Sequence, residues 1–266
     1  ANGDWMHINA IDYNPDLDQI VLSSRTQNEI YIIDHSTTTE EAAGHTEGNA
    51  GKGGDFLYRW GNPQNYDRGT SEDKILGWQH SVNWIDPQYP GGENLILYNN
   101  NHYEGEAYHS AVLEIVPPID DDNNYLLEDD LPYGPNNLEW IVAEDFATPL
   151  QGGAFRLPNG NTLITQTHTS TLIEINLNGE VEWEYTYENG TGSFWIARAQ
   201  KYSLDYLMNF TLGDLNNDGL LNVLDIVILA NLILSGDDSN LAGDLNQDNT
   251  YNILDIVILV NIILSN

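Results

Sequence analysis

Three quartets of short β-like segments constrain this chain more than any other feature. The first is HINAI, QIVLSSR, EIYIID and FLYRWG; the second is HSVNWI, NLILYNN, SAVLEIV and LEWIV; the third is GGAFRLP, NTLITQT, TLIEINL and EVEWEYT. Each closes on a strand that carries a tryptophan: Trp60, Trp140 and Trp183. A self-similar unit of four short antiparallel strands, with Gly or Asn in its turns, is the sequence form of a β-propeller blade. A sandwich has the same strand-and-turn rhythm and is the rival architecture. Propellers close with roughly four to eight blades, so three make about half of one, and an unpaired edge must be covered. A further strand, SFWIARAQKY, follows the third quartet and is expected to pair with a blade outside this sequence.

After residue 207 the pattern changes from Tyr-, Trp- and Thr-rich strands to Asp/Asn loops followed by Leu/Ile-rich helical runs. Two domains are therefore expected, 1–207 and 208–266. Forty-one acidic residues against eight Lys and Arg give a formal charge of −33, which repels phosphate backbones and anionic lipid, so nucleic acid is a poor partner. Cysteine is absent, which excludes disulfides and thiolate metal sites. No apolar run reaches the ~18 residues of a membrane span. The opening ANGDWMH lacks a signal-peptide pattern and reads as the interior of a longer polypeptide.

In a blade the first strand lines the channel and the second returns antiparallel to it, so the start of one and the end of the other share a mouth. His7 stands at the first point and Arg25 at the second. His80, in WQHSVNWI, occupies in the next quartet the slot that His7 fills in MHINAI. Two imidazoles and a guanidinium at one mouth suit a small oxyacid anion, because the guanidinium binds it bidentately and the rings donate hydrogen bonds. The plainer alternative makes the histidines solvated channel linings and Arg25 a structural ion-pair partner. His102 and His168 follow second strands and are rim candidates, whereas His35, His45 and His109 read as surface residues. The segment STTTEEAAGHTEGNAGKGG is either a lid over the mouth or a solvated insertion.

The segments DWMHINAIDYNPDLDQIVLSSR, GKGGDFLYRWGNPQNYDRGT, GWQHSVNWI and RLPNGNTLITQT, closing with FWIARAQKY, resemble the second half of a bacterial arylsulfotransferase, a secreted six-bladed propeller family. The resemblance runs from about Asp4 to Leu207. It implies nucleotide-independent transfer of a sulfuryl group from an aryl sulfate to a phenolic acceptor, by a ping-pong route through a sulfated histidine. On that resemblance His80 matches the nucleophile, His7 and Arg25 match the groups that hold the sulfate, and Asn9 falls in the accompanying His-x-Asn. The family draws a further channel histidine from an N-terminal propeller half that this sequence lacks.

GDLNNDGLLNVLDIVILANLIL and GDLNQDNTYNILDIVILVNIIL form a tandem repeat offset by 30 residues. Oxygen-bearing residues stand at loop positions 1, 3, 5, 9 and 12, the EF-hand spacing with Asp in place of Glu at the last. They are Asp214, Asn216, Asp218, Asn222 and Asp225, then Asp244, Asn246, Asp248, Asn252 and Asp255, with the carbonyls of Leu220 and Thr250 expected at position 7. Hard oxygen donors at this spacing fit two Ca²⁺ ions. Paired loop-then-helix repeats resemble a type I dockerin, a calcium-folded module that binds cohesin in cellulosomes. Val223, Leu224, Ile253 and Leu254 depart from the polar recognition residues usual in that family. The helices are apolar nearly all round, so a cohesin-like partner or self-assembly is expected to cover them in preference to the propeller. Millimolar calcium and an acidic surface place the protein outside the cell or on its surface. Sequons at Asn189 and Asn209 are too common to carry weight.

The expected fold is thus mainly β, a partial, about three-blade propeller, plus a small all-α EF-hand-like dockerin domain. The expected function is sulfuryl transfer. The alternative is a non-catalytic assembly protein whose half-propeller another chain completes.

Overall fold

A computed structural model describes residues 3–104, 107–143, 147–188, 195–203, 206, 211–236 and 240–265. Leu207, the two sequon asparagines Asn189 and Asn209, and the first two residues of SFWIARAQKY lie outside them. The chain divides into two compact units, Ala1–Lys201 and Tyr202–Asn266.

The first unit is built of three four-stranded antiparallel sheets, each strand pairing with its sequence neighbour. Sheet one holds β1 (Ile8–Asn14), β2 (Gln19–Ser24), β3 (Glu29–Asp34) and β4 (Tyr58–Trp60). Sheet two holds β5 (His80–Trp84), β6 (Leu95–Glu104), β7 (Ala107–Ile115) and β8 (Trp140–Val142). Sheet three holds β9 (Gly153–Arg156), β10 (Thr162–Gln166), β11 (Thr171–Ile175) and β12 (Val181–Thr186). The turns follow local chemistry. Asn14 Oδ1 accepts the backbone N–H groups of Asp16 and Leu17, and Asp18 and Asn28 take the left-handed conformation that closes the first two hairpins.

The sheets stack face to face. Leu95 and Leu97 of β6 pack with Val21, Ile30 and Ile32 of sheet one, while the alternate residues Ile96 and Tyr98 pack with Ala154, Ile164 and Ile173 of sheet three. A strand buried on both faces reads as a continuous apolar run, and LILY is one. Each such side chain stabilises the unit by about 1.5–3 kcal/mol, and Leu97→Ala would remove about 2–5 kcal/mol once the cavity is included. The tryptophans that close the quartets differ in use. Trp60 donates its indole N–H to the Pro135 carbonyl and Trp140 to that of Leu177, so each ties its sheet to the next segment, whereas Trp183 is exposed.

One expectation needs correction, and one of two alternatives falls away. Residues 195–200 form no strand. Gly152 N–H and the Thr167 hydroxyl donate to the Ala197 carbonyl, and Ala199 N–H donates to the Thr165 hydroxyl, so the segment runs irregularly along sheet three through threonine side chains instead of a ladder. The insertion after β3 is also not a lid over the mouth that holds His7. It leaves from His35, whose N–H donates to the Asp18 carbonyl in the β1–β2 turn, and this is the opposite end of the sheet from Arg25. It is a folded insertion: α1 (Thr39–Ala42) carries a Thr38/Glu41 capping box, and Asp34 accepts Ala50 N–H.

The second unit packs α2 (Val223–Ser235) against α3 (Ile253–Ser265) around Leu215, Leu229, Ala242 and Leu259. Asn222 caps α2 in a box with Asp225. Only one stripe of each helix is buried. Val223, Leu224, Val227 and Leu234 are exposed, as are their counterparts Ile253, Leu254, Val257 and Leu264. Among the described residues no helix is long and apolar enough to cross a membrane.

Candidate functional site

β1 and β5, the first strands of sheets one and two, pack side by side, and β2 returns beside β1. This topology brings His7, Arg25 and His80 to one end of the unit. His7 immediately precedes β1, and its carbonyl accepts the Arg25 N–H at 3.1 Å, extending the β1–β2 ladder by one rung. Both first strands carry a bulge, between Ile8 and Ala10 and between His80 and Asn83, and both have a left-handed residue nearby, His7 and Ser81. Bulges re-aim side chains, and here they do so at equivalent points of two sheets.

His80 is 8% exposed. Its Nδ1 lies 2.9 Å from the Trp78 carbonyl and 2.7 Å from Asn100 Oδ1. The Asn100 amide nitrogen donates to the carbonyls of Thr148 and Gln151, at 2.7 and 2.5 Å, so its oxygen is the atom turned to His80. Both partners of Nδ1 are then acceptors, Nδ1 carries the proton, and Nε2 of the neutral ring carries the lone pair. Burial holds His80 below the ordinary imidazole value of 6.5; nearby Arg25 and His7 push the same way, against the hydrogen bonds to Asn100 and Trp78.

His7 is exposed and its Nδ1 lies 2.6 Å from Asp4 Oδ2. Arg25 is half-buried; its guanidinium carbon sits 5.0 Å from the centroid of the Trp78 ring, and among the described residues no carboxylate pairs with it. That sets it apart from Arg59, paired with Glu29, and Arg156, paired with Glu114. Asn9 donates to the Gln79 carbonyl at 2.8 Å, and its buried Oδ1 has no partner among the described residues. Asn9 therefore braces the backbone beside His80.

The remaining histidines have other partners: His35 and His45 bond Asp18 and Asp55, His102 lies across the β6–β7 ladder from His109, and His168 meets the Trp195 ring at a tilt, with centroids 4.5 Å apart. Sequence reasoning missed Asp4, Trp78, Gln79 and Asn100. The Asn run after LILY was a signal for Asn100, since a buried strand end rich in amides must satisfy them.

In the second unit each loop wraps around its own carboxylates. Asp225 Oδ1 accepts Leu215 N–H and its Oδ2 accepts Asn222 N–H; Asp255 does the same with Leu245 and Asn252. Asp214 accepts Asp218 and Gly219 N–H, and Asp244 accepts Asp248 and Asn249 N–H. Gly219 and Asn249 supply the left-handed turn at the same point of both loops. Asn216 and Asn246 donate to Asp218 and Asp248. The Asn222 and Asn252 amides turn back to the carbonyls of Leu220 and Thr250. Among the described residues no group of three or more His, Cys, Asp or Glu side chains is gathered as a metal cluster.

Residues 1–116 match the family model for arylsulfotransferase (ASST). No curated protein matches the chain. Similar solved structures include a protein of unknown function from Bacteroides caccae, at 12% identity and TM-score 0.37, over 69% of this chain and 47% of that one. BamB from Moraxella catarrhalis matches at 11% identity and TM-score 0.34, over 72% and 38%. Virginiamycin B lyase from Staphylococcus aureus matches at 11% identity and TM-score 0.33, over 71% and 58%. The chain spans about half the length of these structures.

Proposed function

We propose that the β-rich part, residues 1–207, is an arylsulfotransferase-type half-propeller in which the three sheets are blades and His80 is the sulfuryl carrier. The observation that carries this reading is the buried His80 ring, held by two acceptors on Nδ1, one of them the carbonyl of Trp78, whose indole lies against the Arg25 guanidinium, while Arg25 N–H bonds the His7 carbonyl. Nε2 attacks the sulfur of an aryl sulfate, the N–S bond forms, the S–O bond to the ring breaks, and phenolate departs to take a proton from water. A phenolic acceptor then attacks the same sulfur, the N–S bond breaks, and the acceptor proton is lost to solvent. Splitting one hard displacement into two is the gain from covalent catalysis. Arg25 and His7 stabilise charge on the sulfuryl oxygens. The Trp78 and Asn100 oxygens stabilise the positive charge that the attack develops on the ring.

Asp214, Asn216, Asp218, Leu220, Asn222 and Asp225 would hold one Ca²⁺, and Asp244, Asn246, Asp248, Thr250, Asn252 and Asp255 a second. The donor set fits: carboxylates, side-chain amide oxygens and a main-chain carbonyl in each loop. Residues 202–266 contain nine Asp and no Lys, Arg or His, and Asp214, Asp225, Asp244 and Asp255 are buried. Buried carboxylates with no basic group in their own unit call for a cation from outside. Calcium of that kind is extracellular, and the module would anchor the enzyme through a cohesin-like partner.

The test is incubation with an aromatic sulfate and a phenol. Wild type should transfer the sulfuryl group and gain one on His80 by mass spectrometry, and His80→Ala should lose at least about a thousandfold. Equal turnover in both removes the assignment. A second reading, a non-catalytic extracellular assembly module completed by another chain, is favoured by the exposed apolar stripes of α2 and α3. It predicts that chelating calcium dissolves a complex seen by size-exclusion chromatography; an unaltered elution profile counts against it.

A further inference from the structure

The segment Gly77–Ser81 is fixed from both sides by polar groups. Gly77 N–H donates to Asn99 Oδ1 at 2.8 Å, and its carbonyl accepts Asn101 N–H at 2.9 Å. A Cβ on Gly77 would fall 2.4 Å from the Asn101 carbonyl oxygen, so the approach requires glycine. Gln79, fully buried, donates to the carbonyls of Ser24 and Glu29 at 3.0 and 2.9 Å. Between these anchors Trp78 adopts φ +56° and donates its N–H to Asn28 Oδ1, 2.8 Å away.

A left-handed conformation is an outlier for a bulky residue, and it persists only where the surroundings over-determine it. Glycine would occupy position 78 without strain. What glycine would not supply is the indole, which is 42% exposed and lies under the Arg25 guanidinium at 5.0 Å. Arg25 has no carboxylate partner among the described residues, in a chain with 41 acidic side chains. A carboxylate would have fixed the guanidinium and also neutralised it. An aromatic face fixes it and leaves its N–H edge for an anion.

We propose that Trp78 is the positioning residue of Arg25: its strained backbone is retained because it lays the indole beneath the one arginine that must be rigid and unneutralised. This rests on the sulfuryl-transfer reading for its consequence in catalysis, but not for its geometry. The main-chain carbonyl of residue 78 stays beside His80 in any variant, so a substitution here separates the indole from the nucleophile.

The experiment uses the full chain, wild type, Trp78→Gly and Trp78→Phe. Three quantities are measured: melting temperature, relaxation of the Arg25 Nε–H group by NMR, and kcat/KM with an aromatic sulfate. Trp78→Gly should melt no lower than wild type because strain is relieved, while the Arg25 Nε–H becomes mobile. Its kcat/KM should fall by about tenfold to a hundredfold, as small misplacements of a catalytic group do. Trp78→Phe should restore both rigidity and most of the activity. A Trp78→Gly chain that melts well below wild type with Arg25 still rigid makes Trp78 a packing residue and overturns the proposal. If wild type transfers no sulfuryl group, the functional reading falls and the Arg25 relaxation alone decides the inference.

Discussion

The two units solve the same electrostatic problem in opposite ways. Residues 1–201 hold all eight Lys and Arg and all seven His; residues 202–266 hold none of them and nine Asp. In the first unit, among the described residues, three of the four buried carboxylates are closed by a cation, Glu29 by Arg59, Glu114 by Arg156 and Glu174 by Lys201, and only Asp34 rests on hydroxyl and backbone N–H donors. In the second, Asp225 and Asp255 are fully buried and, among the described residues, meet only backbone N–H groups. On the proposed reading, a unit that carries its own cations needs no bound ion to balance its buried carboxylates, and a unit that carries none takes that charge from what it binds.

Chelation should break the comparison most visibly. If the two proposed calcium sites are filled at about a hundredfold Kd, binding would stabilise the second unit by about 2.7 kcal/mol per site, or about 5 kcal/mol in all. In the full chain, adding chelator should abolish the helical circular dichroism of α2 and α3 and leave the β signal and its melting unchanged. A helical signal that survives chelation would show that the loops are satisfied by their own backbone amides and would remove calcium from the account.

The converse test lies in the first unit. Arg156 donates to the Glu114 carboxylate, whose other oxygen accepts Asn94 Nδ2 at 2.7 Å, and both partners are almost wholly buried. Glu114→Ala strands a buried guanidinium and should cost about 3–5 kcal/mol. Calcium should not offset that loss. If added calcium restores the melting temperature of Glu114→Ala, the two units are not electrostatically separate.

The strands were legible because each is a short apolar or alternating segment set between turn residues, and LILY announced the strand buried on both faces. The meeting of His7, Arg25 and His80 was legible because antiparallel pairing fixes which strand ends share a mouth. What could not be read was anything set by backbone handedness or by distant partners. Trp78 is left-handed because Asn28, fifty residues away, holds its N–H. The His80 tautomer is set by Asn100, itself oriented by Thr148 and Gln151. Residues 195–200 read as a strand, but Gly152 N–H and the Thr167 hydroxyl take the Ala197 carbonyl and the Thr165 hydroxyl takes the Ala199 N–H. The aspartate spacing was plain, while the orientation of those carboxylates toward loop amides belongs to tertiary structure.

The smallest effect concerns pH and sharpens the contrast through histidine. Burial lowers the native value of His80 below the 6.5 of a free imidazole, with Arg25 and His7 adding to the shift. Between that lowered value and 6.5 the unfolded chain binds more protons than the native one, so stability falls as pH falls. The contribution is fully present above 6.5 and is lost progressively as pH drops through the native value. The second unit has no histidine, so in saturating calcium its melting should be flat across this window while that of the first unit declines. His80→Gln should remove the His80 part of the slope. More than half of the rings stay neutral at pH 6.5, so sulfuryl transfer should keep more than half of its rate there and fall to half only at the lowered native value. A rate already halved at 6.5 would mean that His80 titrates as an ordinary, solvated imidazole.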